Sequence, residues 1–243
     1  MQSFLIALQF LTCIPVRLRG MPEPHELGKS LLYYPLVGLL LGGMLWLFAL
    51  VTAHAAAPLQ AALVLTAWVG LTGALHLDGL ADSADAWLGG FGDRERTLAI
   101  MKDPRSGPIA VTVLVLLLLL KFVALLALLQ SGYLLALLIV PLVGRGALLG
   151  LFLTTPYVRP GGLGDALSAH MPRTGVRVVL VIVVLGCLLA GNLGWAALVI
   201  AFCTAWLVRR SMCRRLGGTT GDTAGALLEL VECTVLVGLA LLG

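Results

Sequence analysis

No Lys, Arg, Asp or Glu occurs between Ser30 and Leu77. A stretch that long without charge is built from Leu, Val, Ala and Gly, and water cannot be the solvent for its surface. Spanning a bilayer takes about 20 apolar residues per helix, so this run holds two helices, broken near Pro58. Further uncharged or nearly uncharged stretches lie at 108–130, 133–155, 177–192, 194–208 and 223–243. Only 12% of the 243 residues are charged and 60% are hydrophobic, against about 25% charged in ordinary soluble domains. The expected fold is all-α: a polytopic integral membrane bundle of about seven transmembrane helices, residues 1–243 forming one transmembrane catalytic domain. The first residues, "MQSFLIALQFLTCIPVRLRG", have their charges after the apolar part rather than before it. They make a poor secretory signal and read as a retained interfacial or re-entrant helix. The pair of short segments after Val176, joined by "GN", reads as two tilted helices or a tight hairpin.

The charged residues sort the loops. Arg17, Arg19 and Lys29 follow the first helix; Arg94, Arg96, Lys102 and Arg105 occupy 93–105. Arg159, Arg173 and Arg177 flank 156–177, and Arg209, Arg210, Arg214 and Arg215 crowd the next connection. The alternate connections near 55–60, 130–133 and 190–194 carry no Lys or Arg. By the positive-inside rule the charged loops and the N-terminus face the cytoplasm of a cell (inner) membrane, and seven spans put the C-terminus outside. The same rule accounts for the net charge of +4, so nucleic acid is not an expected partner and the lipid bilayer is. Five scattered cysteines without C-x-x-C spacing indicate neither a disulfide framework nor a zinc site. Reactive side chains therefore gather at one membrane interface. That suits an enzyme with cytoplasmic substrates better than a transporter, which needs polar groups along a path through the membrane.

Three constellations at that interface carry candidate chemistry. In "HLDGLADSADAW", residues 76–87, Asp78, Asp82 and Asp85 fall within about 60° of arc if the segment is helical. These are a quarter of the 12 acids in the chain. Three carboxylates on one face repel unless a cation joins them, and hard oxygen ligands suit Mg²⁺. A solvated helix end is the plainer explanation, but cytoplasmic flanks favour Lys and Arg over acids. Gly79 would let a phosphate or metal approach the backbone. In "MKDPRSGP", residues 101–108, Asp103 sits between Lys102 and Arg105, the mixture used in metal-dependent phosphoryl chemistry. Pro104 and Gly107 make a turn that lets these side chains converge on the aspartates. In "GGTTGDTAGALLELVE", residues 217–232, a Gly- and Thr-rich loop enters a helix, with Asp222 as an N-cap and with backbone amides and hydroxyls offered to anions. Glu229 and Glu232 within a membrane helix must face the protein interior or a polar cavity. Arg145 and Lys121 interrupt apolar runs. Arg145 should pair with one of Asp78, Asp82, Glu229 or Glu232, while snorkelling or structural pairing explains Lys121. His76, alone before the acids, reads first as a structural histidine and second as a base or ligand.

Taken together, "LTCIP", "YYPLVGLLLG", "HLDGLADSADAW", "MKDPRSG" and "GGTTGDTAGALLELVE" resemble the cobalamin synthase family, from about residue 8 to 232. Pro104 stands where that family usually has a Ser-like residue, and "DAW" where "DG" is more usual. The resemblance implies an adenosylcobinamide-GDP ribazoletransferase, acting late in cobalamin biosynthesis. Adenosylcobinamide-GDP and α-ribazole, or its 5′-phosphate, would give adenosylcobalamin, or its 5′-phosphate, and GMP. It further implies Mg²⁺ held by Asp78, Asp82, Asp85 and Asp103, with Asp82 or Asp85 taking the hydroxyl proton. Lys102, Arg105 and Arg145 are then candidates for the pyrophosphate. His76, Thr219, Thr220 and Asp222 are candidates for other substrate contacts. A homo-oligomer is left open. A looser likeness to membrane CDP-alcohol phosphotransferases lacks their D-x-x-D-G-x-x-A-R spacing. A divalent-cation transporter is the rival from another class, and a scaffold subunit leaves the acids unexplained.

Overall fold

The computed structural model describes residues 2–18 and 20–243, so Arg19 lies outside the described residues. Twelve α-helices are present among them: α1 (Gln2–Leu11), α2 (Pro24–Ser30), α3 (Tyr34–Val51), α4 (Ala57–Thr72), α5 (Leu75–Gly89), α6 (Arg94–Ile100), α7 (Pro108–Gln130), α8 (Ala136–Thr154), α9 (Leu163–Ala169), α10 (Arg173–Leu188), α11 (Gly191–Leu216) and α12 (Gly221–Leu242). A 3₁₀ turn at Leu31–Tyr33 joins α2 to α3.

Five helical segments are long and apolar enough to cross a membrane, or six if the bent pair α4–α5 counts as one span. The expected number was about seven. The remaining expected span, α10, has 16 residues, which at 1.5 Å each reach about 24 Å against a hydrocarbon core of about 30 Å. It forms a tight hairpin with α11, close enough that a methyl group on Gly194 would overlap the Cys187 carbonyl. The N-terminal α1 has 10 residues and is too short to cross. Outward apolar side chains such as Val111, Val115, Leu116, Leu119, Leu120 and Val123 on α7 are exposed, as lipid contact requires.

At the second half of the long uncharged run, a helix was expected to cross and end at the acids. Instead, α4 stops at Gly73 and Ala74, which both adopt left-handed backbone (φ +61° and +56°). The chain turns through 87° there and restarts as α5. The acidic segment is thus a helix folded back against the bundle, packed between α12 and α7, rather than the solvated tail of a span. Gly79 on α5 faces α12: a Cβ there would lie 2.8 Å from the Asp222 carbonyl oxygen. The glycine after Asp78 therefore admits a neighbouring helix, not a phosphate or metal.

The bundle interior is held across α7, α8 and α12 by buried charges. Lys121 Nζ lies 2.6 Å from Glu229 Oε2 and 3.0 Å from Glu232 Oε2, and Arg145 donates to Glu232 Oε1. Lys121 also lies over the Trp68 ring at 5.1 Å. Two cations and two carboxylates balance, which is how ionisable groups persist in a low-dielectric interior.

The charged loops share one end. Trp87 Nε1 donates to Ser211, Arg94 Nε to the Leu216 carbonyl (2.8 Å), and Val158 N to the Thr219 carbonyl (2.9 Å). The C-terminal Gly243 packs against Tyr133, in the uncharged connection at the opposite end.

Candidate active site

The site is built on α5, the first turn of α12, and two loops that the fold sews together. Segment 156–158 runs parallel to 219 through a bridge between Tyr157 and Thr219, with Val158 N and Thr219 N donating to the Thr219 and Pro156 carbonyls, each at 2.9 Å. This brings Arg159 to Asp222, Nη1 to Oδ2, at 2.9 Å. Asp82 on α5 is half-buried, and the charged groups around it are Asp78, Asp222, Arg159 and Asp85. Asp78 itself is exposed. Thus Asp78 and Asp82, one helical turn apart, lie within electrostatic reach of Asp222 at the start of α12, and Arg159 supplies the one positive charge among these neighbours.

Two of the expected aspartates already have polar partners. Both oxygens of Asp85 are taken by backbone amides at the start of α7: Gly107 N donates to Oδ2 and Ala110 N to Oδ1 (2.9 Å). Asp85 satisfies two of the amides that every helix start leaves without a partner, and it pins the 101–107 loop to α5. The sequence pointed to Asp85 as ligand or base; the structure shows its carboxylate accepting from the start of α7. Asp103 is held by Arg105 through two side-chain hydrogen bonds, 2.9 and 2.8 Å, and through the Arg105 amide. That grip keeps the Asp103 carboxyl at about 2, below the ordinary Asp value. Lys102 and Arg105 are exposed on this loop.

Several expected substrate contacts are internal. Arg145 is fully buried and bound to Glu232, and it is not among the charged neighbours of Asp82. Its predicted pairing with a glutamate holds, while a phosphate-binding role does not suit its position. His76 is 5% exposed, with its backbone against Gly225 of α12 and its Nδ1 buried without a hydrogen-bond partner. Thr219 and Thr220 are wholly buried; Thr219 Oγ1 and Thr223 Oγ1 lie 3.0 Å apart. Thr220, not Asp222, is the N-cap of α12, in a reciprocal capping box with Thr223. These hydroxyls shape the loop rather than reach outward.

Among the described residues, no three His, Cys, Asp or Glu side chains form a ready metal-binding group. The donor chemistry nevertheless suits Mg²⁺, which takes one or two carboxylates and fills its shell with water and substrate phosphate oxygens. Asp78, Asp82 and Asp222 fit that requirement: all are hard oxygen donors. Asp222 Oδ2 is buried without a hydrogen bond, although Arg159 is within ion-pair distance.

A family model described as cobalamin-5-phosphate synthase matches residues 3–240. The chain belongs to this family. The cobalamin-5-phosphate synthase match is joined by relatives named adenosylcobinamide-GDP ribazoletransferase. That of Stutzerimonas stutzeri is 67% identical over 99% of this chain and 98% of its own length. The Pseudomonas putida relative is 66% identical, covering 99% of both chains. The Pseudomonas fluorescens relative is 65% identical over 99% of this chain and all of its own. No solved structure matches the chain.

Two residues in this member of the family escaped the reading of the sequence. Arg159 counted only as a flanking cation, and Tyr157 was passed over. Burial raises the Tyr157 phenol above its ordinary value, keeping it protonated beside Arg159 and Asp222. Nothing local in "PYVRPGG" marks either residue. Only the pairing of 156–158 with the loop before α12 places them at the acids.

Proposed function

We propose that this chain is an adenosylcobinamide-GDP ribazoletransferase of a bacterial inner membrane, with its site on the cytoplasmic face. The ribose hydroxyl of α-ribazole, or of its 5′-phosphate, attacks the phosphorus nearer the cobinamide. The new P–O bond forms as the bond to the GMP oxygen breaks, giving adenosylcobalamin, or its 5′-phosphate, and GMP. The observation that carries this reading is the cluster of Asp78, Asp82 and Asp222 with Arg159 at the charged end of the bundle, in a chain that matches the family along residues 3–240.

Asp82 is the carboxylate we assign to the hydroxyl proton, being half-buried among acids while Asp85 is engaged by α7. Arg159 presents its guanidinium to the pyrophosphate, and the Tyr157 hydroxyl is a donor on the same side. Lys102 and Arg105, exposed on the neighbouring loop, add positive charge at the entrance. Asp78, Asp82 and Asp222 would hold Mg²⁺, which when bound neutralises charge on the phosphoryl oxygens. The charged rim and the bare opposite end favour this over the transporter, because the uncharged connections offer no second polar mouth.

The test uses the purified chain in lipid nanodiscs with adenosylcobinamide-GDP and α-ribazole 5′-phosphate, with and without Mg²⁺. GMP and a cobalamin product should appear together in equal amounts, and only with the metal. GMP release without the cobalamin product would replace this reading with a hydrolase.

A further inference from the structure

Helix α11 carries a continuous track that the proposed reaction does not use. From Trp195 to Arg209 it borders an apolar groove of about 740 Å³, with α8 and α10 as its other walls. Val183, Trp195, Phe202 and Trp206 supply apolar lining, and Arg209 lies at the charged end. The fourteen helical rises from Trp195 to Arg209 measure about 21 Å, more than the roughly 15 Å of one leaflet's hydrocarbon, half of a bilayer core. Trp206 then also borders a second cavity of about 590 Å³, which opens at the last turns of α11 beside the end of α5. That cavity is lined by Trp87, Trp206, Arg210, Arg214 and Arg215, with no carboxylate in its lining.

The cations there are prepared rather than scattered. The Arg215 guanidinium stacks over Trp87 at 5.6 Å and donates to the Trp87 carbonyl, and Arg210 stacks over Trp206 at 5.4 Å. Arg210 and Arg214 are exposed and have no ion-pair partner among the described residues. Ordinary membrane flanking accounts for arginines at this height. It does not account for three of them around one concavity that continues into an apolar groove. A groove deep enough for a leaflet, ending in guanidiniums between indoles, has the shape and charge of one molecule class.

We propose that α11 binds an anionic phospholipid, its acyl chain in the groove and its headgroup phosphate against Arg210, Arg214 and Arg215. Basic pockets between membrane helices hold such headgroups by charge-assisted hydrogen bonds. Asp78, Asp82 and Asp222 do not line either cavity, so the lipid site is separate from the proposed active site.

The test measures tryptophan quenching in phosphatidylcholine nanodiscs containing a rising fraction of brominated phosphatidylglycerol. Wild-type protein should show a saturable component at low mole fraction, lost in Trp206→Phe. The double variant Arg210→Gln/Arg214→Gln should shift that component at least fivefold, and Arg210→Lys/Arg214→Lys, which keeps both charges, should stay within twofold. Because quenching is read without turnover, the outcome does not depend on the reaction assigned above. Equal quenching by brominated phosphatidylcholine would overturn the proposal. So would displacement by millimolar inorganic phosphate or GMP, which would assign the pocket to a soluble anion.

Discussion

At the scale of single residues, three aspartates from one short motif end in three different situations. Asp78 is exposed, Asp82 is half-buried near Asp222 and Arg159, and Asp85 caps α7. Different substitutions should therefore separate them. Asp82→Asn should lower kcat by about 10²–10⁴-fold, the range for losing a general base, with helical circular dichroism and thermal midpoint unchanged. Asp85→Ala should instead lower stability by about 1 kcal/mol, as lost caps do, visible as a reduced melting midpoint. If Asp85→Ala matched Asp82→Asn in lost turnover at full stability, the division of labour between them would be wrong. Arg105 makes a third prediction. Its grip on Asp103 depresses that carboxyl to about 2, so the interaction is present above the ordinary Asp pKa and is lost as pH falls through the depressed value. In Arg105→Gln, carbon NMR of the Asp103 carboxyl should show its titration midpoint moving up toward the ordinary Asp value.

At the scale of elements, the decisive event is the 87° turn between α4 and α5. It delivers the acidic helix into contact with α12, and it uses a residue ill suited to it. Ala74 sits in left-handed backbone, which costs a non-glycine residue about 1–2 kcal/mol. Replacing it with glycine relieves that strain while adding freedom to the unfolded chain, so Ala74→Gly should stabilise by about 0.5–1 kcal/mol. Unchanged or lower stability would show that the turn is held for another reason. The turn also shows where sequence reasoning reached its limit. Helix positions followed from the apolar runs and their breaks, and the inward placement of Glu229 and Glu232, with a glutamate as one of the partners open to Arg145, followed from the cost of charge in lipid; that Lys121 joins both glutamates did not. Uncharged composition cannot distinguish a straight span from a bent one, so α4–α5 was expected to cross and stop. Likewise, "GGTTGDT" announced a loop entering a helix, but only tertiary contact shows that its threonines face inward and that Arg159 reaches Asp222.

At the scale of the whole molecule, the bundle keeps polar chemistry at one end and a self-neutralised charge cluster in its interior. Removing one partner of that cluster leaves a buried charge unpaired. Lys121→Met should therefore cost about 3–5 kcal/mol, read as loss of monodisperse protein in detergent or a large drop in melting midpoint. A mild effect would mean that water already reaches the cluster. The central claim is that Asp78, Asp82 and Asp222, with Arg159 beside them, form the phosphoryl-transfer site of a ribazoletransferase. Its most direct test is the rate of GMP release from adenosylcobinamide-GDP, with α-ribazole 5′-phosphate present, compared among wild type, Asp82→Asn and Arg159→Gln in nanodiscs. Wild type should release GMP in a Mg²⁺-dependent way, Asp82→Asn should fall at least a hundredfold, and Arg159→Gln should show a clear loss, with all three folded alike. Full turnover in both variants would contradict it.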